Sequence, residues 1–176
     1  MPFADPTENL KYLNIREGWR VADLGTGSGF YAIGLAKRVG DSGRVYAIDV
    51  QKELLTKLTN RAKEDHLNNL EIIWADIDEL GGTKMPDSSL DAVVISNVLF
   101  QSENKENLTL EALRILKTGG EALVMDWVDS YGGLGPESSS IFKSGEAETL
   151  FTKNGFALVK NFDAGEHHWG LLLKKN

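Results

Sequence analysis

The sequence predicts an α/β fold in which an open, doubly wound and mostly parallel sheet of seven strands carries helices on both faces. Apolar strand segments alternate with helix segments from Trp19 to Trp127. A glycine-rich turn follows the first of these strands, and two strands joined by a short turn end the chain. Strand–helix alternation produces parallel strands joined by right-handed crossovers. The terminal hairpin makes one C-terminal strand antiparallel to the others.

The alternating part of the chain predicts five strands and three helices. Helical periodicity is clearest after the second strand, where Leu54, Leu58 and Ala62 lie on one stripe. In chain order, the segments are strand Trp19–Leu24, helix Ser28–Val39, strand Arg44–Asp49, helix Gln51–His66, strands Leu70–Ala75 and Leu90–Ser96, helix Asn104–Leu116 and strand Glu121–Trp127.

The last third of the chain departs from this alternation. Residues Asp129–Lys143 are rich in Gly, Ser and Pro, and they predict a loop too long to be only a connector. A short helix over Ser144–Asn154 follows, with Gly155 placed as its C-terminal cap. Strands Phe156–Phe162 and His168–Lys174 then form the predicted hairpin.

The length of 176 residues favours one domain, with an N-terminal cap segment at 1–18, a core at 19–127 and a loop, helix and hairpin at 128–176. The absence of cysteine excludes disulfides, thiolate zinc sites and cysteine nucleophiles. The first residues lack the basic start and apolar core of a signal peptide, and no apolar run approaches the ~20 residues of a membrane helix.

The net charge of −7 opposes a phosphate backbone, so it disfavours a nucleic-acid partner without excluding RNA. We therefore expect a cytoplasmic monomer or homodimer with a small or cationic substrate and no membrane partner.

The most informative stretch is residues 21–30, Val-Ala-Asp-Leu-Gly-Thr-Gly-Ser-Gly-Phe. Glycines at alternate positions allow a sharp turn and a close approach of a ligand to the backbone. A helix that starts at about Ser28 points its N-terminal N–H groups and positive dipole end at that ligand. A dinucleotide fingerprint places its third glycine at position 30, where this chain has Phe30.

The spacing of Gly25, Gly27 and Gly29 after Asp23 resembles motif I of class I S-adenosylmethionine (SAM)-dependent methyltransferases, which have a Rossmann-like sheet. Residues 91–97 resemble the fourth strand of this family, and residues 116–123 resemble its Leu-Lys-Pro-Gly-Gly turn into the fifth strand, with Thr118 in place of the proline. The resemblance covers about residues 16–127, and the layout is most similar to small-molecule methyltransferases of the quinone-biosynthesis type.

The resemblance implies a set of cofactor contacts. Asp49, 24 residues after Gly25, offers two acceptor oxygens to the ribose hydroxyls, although an acid that merely closes a strand is the alternative. The resemblance implies that Asp76 accepts from the adenine amine and that the Ile77 N–H meets a ring nitrogen, with a solvated loop acid as the alternative for Asp76. Asp78 and Glu79 are adjacent acids that compete with Asp76 for this role. The implied SAM-binding residues are Asp23, Gly25, Thr26, Gly27, Gly29, Asp49, Val50, Asp76, Ile77 and Asn97.

The acceptor side is less defined by the sequence. Because the SAM sulfonium is already a good leaving group, the protein mainly has to orient the acceptor, and this family often lacks a general base. Candidate catalytic residues are Asn97, Trp127 and His168, with a packed Trp and surface histidines as the alternatives. Adjacent strand residues face opposite sides, so His167 and His168 do not predict a metal site.

Further candidates flank this region. Phe100 and Gln101 are possible acceptor-pocket residues, although Phe100 fits a core position equally well. A short N-terminal helix over Asp5–Leu13 is expected to cover the site, with Tyr12 as a possible contact.

The predicted function is transfer of the SAM methyl group to a small-molecule acceptor by in-line displacement, which leaves S-adenosylhomocysteine (SAH). An RNA or protein methyltransferase and a non-catalytic SAM-binding or partner subunit are the alternatives. A nicotinamide-dependent oxidoreductase would need the glycine that Phe30 replaces.

Overall fold

The computed structural model describes residues 4–176. Seven strands form one sheet in the order β3-β2-β1-β4-β5-β7-β6. The strands are β1 (Arg20–Leu24), β2 (Arg44–Asp49), β3 (Leu70–Trp74), β4 (Leu90–Ser96), β5 (Leu116–Trp127), β6 (Phe156–Gly165) and β7 (His168–Lys175). The helices are α1 (Pro6–Asn9), α2 (Phe30–Val39), α3 (Lys52–Glu64), α4 (Lys105–Ile115) and α5 (Ser144–Lys153).

The topology confirms the predicted fold class. Strands β1 to β5 are mutually parallel where they pair, and β7 is inserted antiparallel between β5 and β6. The parallel pairs bring the carboxyl ends of β1, β2 and β4 to one edge of the sheet. Ligands of open α/β sheets bind at this edge.

Both faces of the sheet are covered, which explains the nearly continuous apolar strands. One core packs α4 and α5 against the sheet through Leu108, Ala112 and Phe151. The other core packs α2 and the N-terminal segment through Leu35 and Leu10.

The predicted starts of β5 and α2 are wrong, and the local backbone gives the reason for each. Strand β5 begins at Leu116 rather than Glu121, because residues 117–120 form a bulge where the pairing jumps from Leu90–Leu116 to Ala92–Glu121. The left-handed φ of +77° at Gly119 makes this bulge look like a turn in the sequence. Helix α2 begins at Phe30 rather than Ser28, since Gly29 precedes it in the left-handed conformation.

The glycine loop between β1 and α2 is shaped by close packing at two of its glycines. A Cβ on Gly25 would lie 2.5 Å from Val98 Cγ2, and a Cβ on Gly29 would lie 2.3 Å from Leu58 Cδ1. Both glycines also have positive φ angles, which side chains disfavour. The loop therefore lies as close to α3 and to the end of β4 as a backbone can.

A buried carboxylate holds the long connection from β3 to β4. Glu111 on α4 is fully buried and accepts hydrogen bonds from the N–H of Gly81 (2.7 Å), the hydroxyl of Thr83 and the guanidinium of Arg114 (2.7 Å). Burial acts to raise the pKa of Glu111, but the hydrogen bonds from Arg114 and Thr83 outweigh it and lower the pKa to about 2. Glu111 therefore stays ionised, and the loop that starts at the end of β3 keeps a defined path.

Replacing Gly29 by Ala should lower the free energy of unfolding by about 2–5 kcal/mol, the sum of a left-handed backbone and an overpacked contact with Leu58. Gly132→Ala is the matched control, because Gly132 has a φ of +58° and open space at its Cβ position. This control should lose only about 1–2 kcal/mol. Urea unfolding curves measure both values, and equal losses would contradict the packing role of Gly29.

Candidate functional site

A cavity of about 590 Å³ opens at the carboxyl ends of β1, β2 and β4. It brings together every cofactor-binding candidate of the sequence analysis except Gly29, which stands behind the loop against Leu58. The predicted residues that line it are Asp23, Gly25, Thr26, Gly27, Asp49, Val50, Asp76, Ile77 and Asn97. Gln101 lines it as well, whereas Phe100 does not.

Asp23 ties the glycine loop to the first turn of α2. Its Oδ2 atom accepts hydrogen bonds from the Thr26 hydroxyl (2.7 Å) and from the Ala32 N–H (3.1 Å). Burial raises the pKa of Asp23 to about 6, the two hydrogen bonds oppose that rise, and the charge of Asp49 adds to it. Asp23 is therefore a carboxylate whose charge is poorly compensated by the protein.

Asp49 holds the loop from the other side. Its Oδ2 atom accepts from the Gly27 N–H (2.8 Å) and its Oδ1 atom accepts from the Gln51 N–H (2.9 Å). Each oxygen of an ionised carboxylate has capacity for a second donor. Asp49 is thus able to take up ligand hydroxyls without giving up the loop.

Two further acids, Asp76 and Asp78, follow β3 and line the cavity. Asp76 is exposed at the cavity, and its Oδ1 atom accepts from the N–H of Asp78 (2.9 Å). Asp78 accepts from the Ser102 hydroxyl (2.7 Å) and from the Glu103 N–H (2.8 Å), so it joins this loop to the residues before α4. Asp78 is therefore structural, which separates its role from that of Asp76.

Asn97 follows β4 in a left-handed conformation with a φ of +58°. Its side-chain oxygen is buried without a hydrogen-bond partner in the described part of the chain. A buried acceptor of this kind costs free energy until a donor reaches it.

The sequence analysis did not identify Asp126, which contacts the chain that follows Asn97. Asp126 on β5 is fully buried and accepts from the N–H groups of Phe100 (3.2 Å) and Trp127 (2.8 Å). Burial raises the pKa of Asp126 to about 6, against the opposing effect of its N–H donors.

The N-terminal segment reaches the cavity, although residues 1–3 of the predicted cap lie outside the described residues. Ala4 and Pro6 line the cavity, as does Tyr31, which the sequence analysis also missed. The Tyr31 hydroxyl accepts from Asn9 Nδ2 (3.0 Å), and burial raises its pKa. Tyr12 lies outside the cavity lining and stacks on Phe162, with ring centroids 3.7 Å apart.

Trp127 and His168 lie at the same edge of the sheet but do not line the cavity. Their ring centroids are 4.2 Å apart, and His168 is 2% exposed with neither ring nitrogen hydrogen-bonded among the described residues. Burial lowers the pKa of His168 to about 4, with a further contribution from His167, so the imidazole is neutral at pH 7.

The alternative that His167 and His168 are surface residues is wrong, because both side chains are buried. The His167 Nδ1 atom lies 2.6 Å from Asp129 Oδ1, and Tyr131 stacks on the His167 ring. Over residues 4–176, the structure places no group of three or more His, Asp or Glu side chains where they could hold a metal ion. In the same range, no helix is long and apolar enough to cross a bilayer.

Comparisons with known proteins agree with this geometry. Residues 15–169 match a family model described as a methyltransferase domain. The chain is 32% identical over 127 residues to the ubiquinone/menaquinone biosynthesis C-methyltransferase UbiE of Laribacter hongkongensis, covering 72% of this chain and 50% of that protein. It is 34% identical over 114 residues to an arsenite methyltransferase of Aquipseudomonas alcaligenes, covering 62% of this chain and 33% of that protein.

The match therefore spans half or less of the length of these two relatives. Among solved structures, a SAM-dependent methyltransferase from Aquifex aeolicus superposes with a TM-score of 0.88 at 26% identity, covering 98% of this chain and 90% of that one. The family model, the relatives and the shared sheet topology together show that the chain belongs to the class I SAM-dependent methyltransferase family.

Proposed function

We propose that this protein transfers the methyl group of SAM to a small-molecule acceptor and releases SAH. The observation that carries the proposal is the cavity, where the glycine loop is flanked by the carboxylates of Asp23, Asp49 and Asp76. SAM bears a sulfonium and an ammonium against one carboxylate, so its net positive charge complements these acids. Turnover with an acceptor tests the whole proposal.

The residues present fit SAM at several points. The close contact of Gly25 with Val98 leaves backbone rather than side chain at the cavity wall, and the unpartnered Asn97 oxygen offers an acceptor to a ligand donor. We assign Asp49 to the ribose hydroxyls and Asp76, with the Ile77 N–H, to the adenine edge. Val50, an apolar side chain that is 53% exposed at the cavity, is assigned to the adenine face.

We assign the remaining cofactor-binding candidates to the methionine end of SAM. Asp23, Thr26 and Gly27 line the cavity beside the N-terminus of α2, which points N–H groups toward it. Gly29 serves this end indirectly, because its packing against Leu58 sets the path of the loop.

Bound SAM supplies an activated methyl group, so the work of the protein is to bind, orient and exclude water. Orientation of two reactants alone is worth about 7–11 kcal/mol. The acids that line the cavity are assigned to SAM or, in the case of Asp78, hold the residues before α4, so we assign no general base among the described residues. Asn97 and Gln101 are the cavity-lining polar groups that we assign to the acceptor side, with Asn97 next to the methionine end of SAM. Trp127 and the neutral His168 lie at the same edge of the sheet, outside the cavity lining.

The charge of the cavity favours an acceptor that is neutral or cationic. The carboxylates of Asp23, Asp49, Asp76 and Asp78 line it, and the whole chain has a net charge of −7. An RNA substrate is disfavoured by the same charges. This chain has no cysteine, so no thiolate of its own takes part in the transfer. A cytoplasmic location and a monomeric or homodimeric state stay predictions from the sequence.

Calorimetric titration with SAM, SAH and NADH is the first test. We expect binding of both sulfur nucleosides and none of NADH, and binding of NADH alone would overturn the proposed cofactor site. SAH release is then measured with a panel of neutral, cationic and anionic acceptors. Turnover only with anionic acceptors would contradict the acceptor class, and SAM binding without turnover across the panel would favour a non-catalytic subunit.

Replacing Asp49 by Ala should weaken SAH binding by about 1–3 kcal/mol, because hydrogen bonds to a charged group are lost. A 2′-deoxy analogue of SAH separates this effect from damage to the loop that Asp49 also holds. Wild-type protein should prefer SAH over the analogue, and the Asp49→Ala variant should bind the two alike. A variant that keeps the full preference would contradict the ribose assignment, and Asp163→Asn, which removes an exposed carboxylate on β6, controls for charge.

The affinity for SAM should fall as the pH drops from 7 to 5. Burial raises the pKa of Asp23 to about 6 in the free protein, and a bound cation lowers it again. Below pH 6, binding must therefore displace a proton, which costs up to about tenfold in affinity per pH unit. Calorimetry across this range should find that Asp23→Asn loses most of the slope. An unchanged slope in that variant would contradict the contribution of Asp23.

A further inference from the structure

A buried acid outside the cavity governs one of the cavity walls. Asp126, the residue before the end of β5, has no exposed surface and is not among the residues that line the cavity. Its carboxylate accepts the N–H of Phe100 (3.2 Å) from the chain that follows β4 and the N–H of Trp127 (2.8 Å) on its own strand, and the nearby N–H groups of Val98 and Leu99 further favour its charged form. A buried carboxylate with several backbone donors is costly to place, so its geometry indicates a specific task.

That task is the capping of a turn. The N–H groups of Gln101 and Ser102 bond back to the carbonyl of Val98 at 3.1 and 2.9 Å, as in the first turn of a helix. The first N–H groups of such a turn have no partner within it. A side chain just before the turn commonly accepts them, and here Asp126 accepts that of Phe100 from the neighbouring strand.

The capped turn carries the cavity wall. Asn97, which begins it, is held in its left-handed conformation by a bond from its N–H to the Met125 carbonyl (2.9 Å). Val98 packs directly on Gly25, and Gln101 donates through Nε2 to the Asn97 carbonyl (3.0 Å). A shift of this turn would therefore move the polar group of Asn97 and the support of the glycine loop together.

We propose that Asp126 is a positioning residue, whose carboxylate fixes residues 97–101 so that Asn97 and Val98 close the cavity against the glycine loop. The inference rests on the proposed function, since the cavity is taken as the SAM site. It adds a residue that touches neither SAM nor acceptor and acts only through the turn that it caps.

The test compares Asp126→Asn and Asp126→Ala with Asp129→Asn, which removes an acid from the same edge of the sheet. Asparagine keeps one acceptor oxygen, so SAH affinity should fall by about tenfold in Asp126→Asn and further in Asp126→Ala. The control should bind SAH within twofold of wild type. The amide NMR signal of Phe100 should shift upfield in both Asp126 variants and not in the control.

Wild-type affinity in Asp126→Asn would overturn the proposal, as would an unmoved amide signal of Phe100. If neither variant folds, hydrogen exchange of wild-type protein decides the question. The Phe100 amide should exchange far more slowly than those of the exposed loop glycines Gly132 and Gly133, and equal rates would overturn the capping role.

Failure of the proposed function is distinguishable from failure of this inference. Wild-type protein that binds neither SAM nor SAH would contradict the cofactor site. The amide signals and exchange rates would still report on the turn.

Discussion

The site depends on two buried carboxylates that hold one glycine loop in place by hydrogen bonds. Asp23 reaches the loop through Thr26 and the first turn of α2, and Asp49 reaches it through the N–H of Gly27. The two acids repel each other, which adds to the raised pKa of Asp23. The loop thus gains its shape at an electrostatic cost, and a ligand of positive charge is what relieves that cost.

The sheet and this loop could be predicted because their signals are local. Strand and helix periodicities repeat within a few residues, and the alternate glycines follow β1 directly. The carboxyl ends of parallel strands meet at one edge of the sheet. The convergence of Asp49, Asp76 and Asn97 at this edge could therefore be predicted from the strand order alone, before any of their contacts were known.

What the sequence analysis missed depends on partners far apart in the chain. Asn9 donates to the carbonyl of Ala164, 155 residues away, and Asp126 meets Phe100 across 26 residues. No local pattern distinguishes these groups from solvated polar residues. The burial of His167 and His168 could not be predicted for the same reason. Strand β7 is an interior strand, and the segment after β5 covers its start. There the Val128 N–H donates to the His167 carbonyl (2.8 Å).

The outer strands of the sheet bear on how copies of this chain meet one another. A long straight edge strand offers unpaired N–H and C=O groups to any other chain and invites aggregation. Strand β6 has irregular register at Leu158/Lys160 and again at Asp163/Gly165, which interrupts that row of groups. At the opposite edge, β3 is only five residues long, and the ammonium of Lys52 sits 3.9 Å from the ring centre of its terminal Trp74. Both features make the outer strands poorer templates for a second sheet than long, regular edge strands would be.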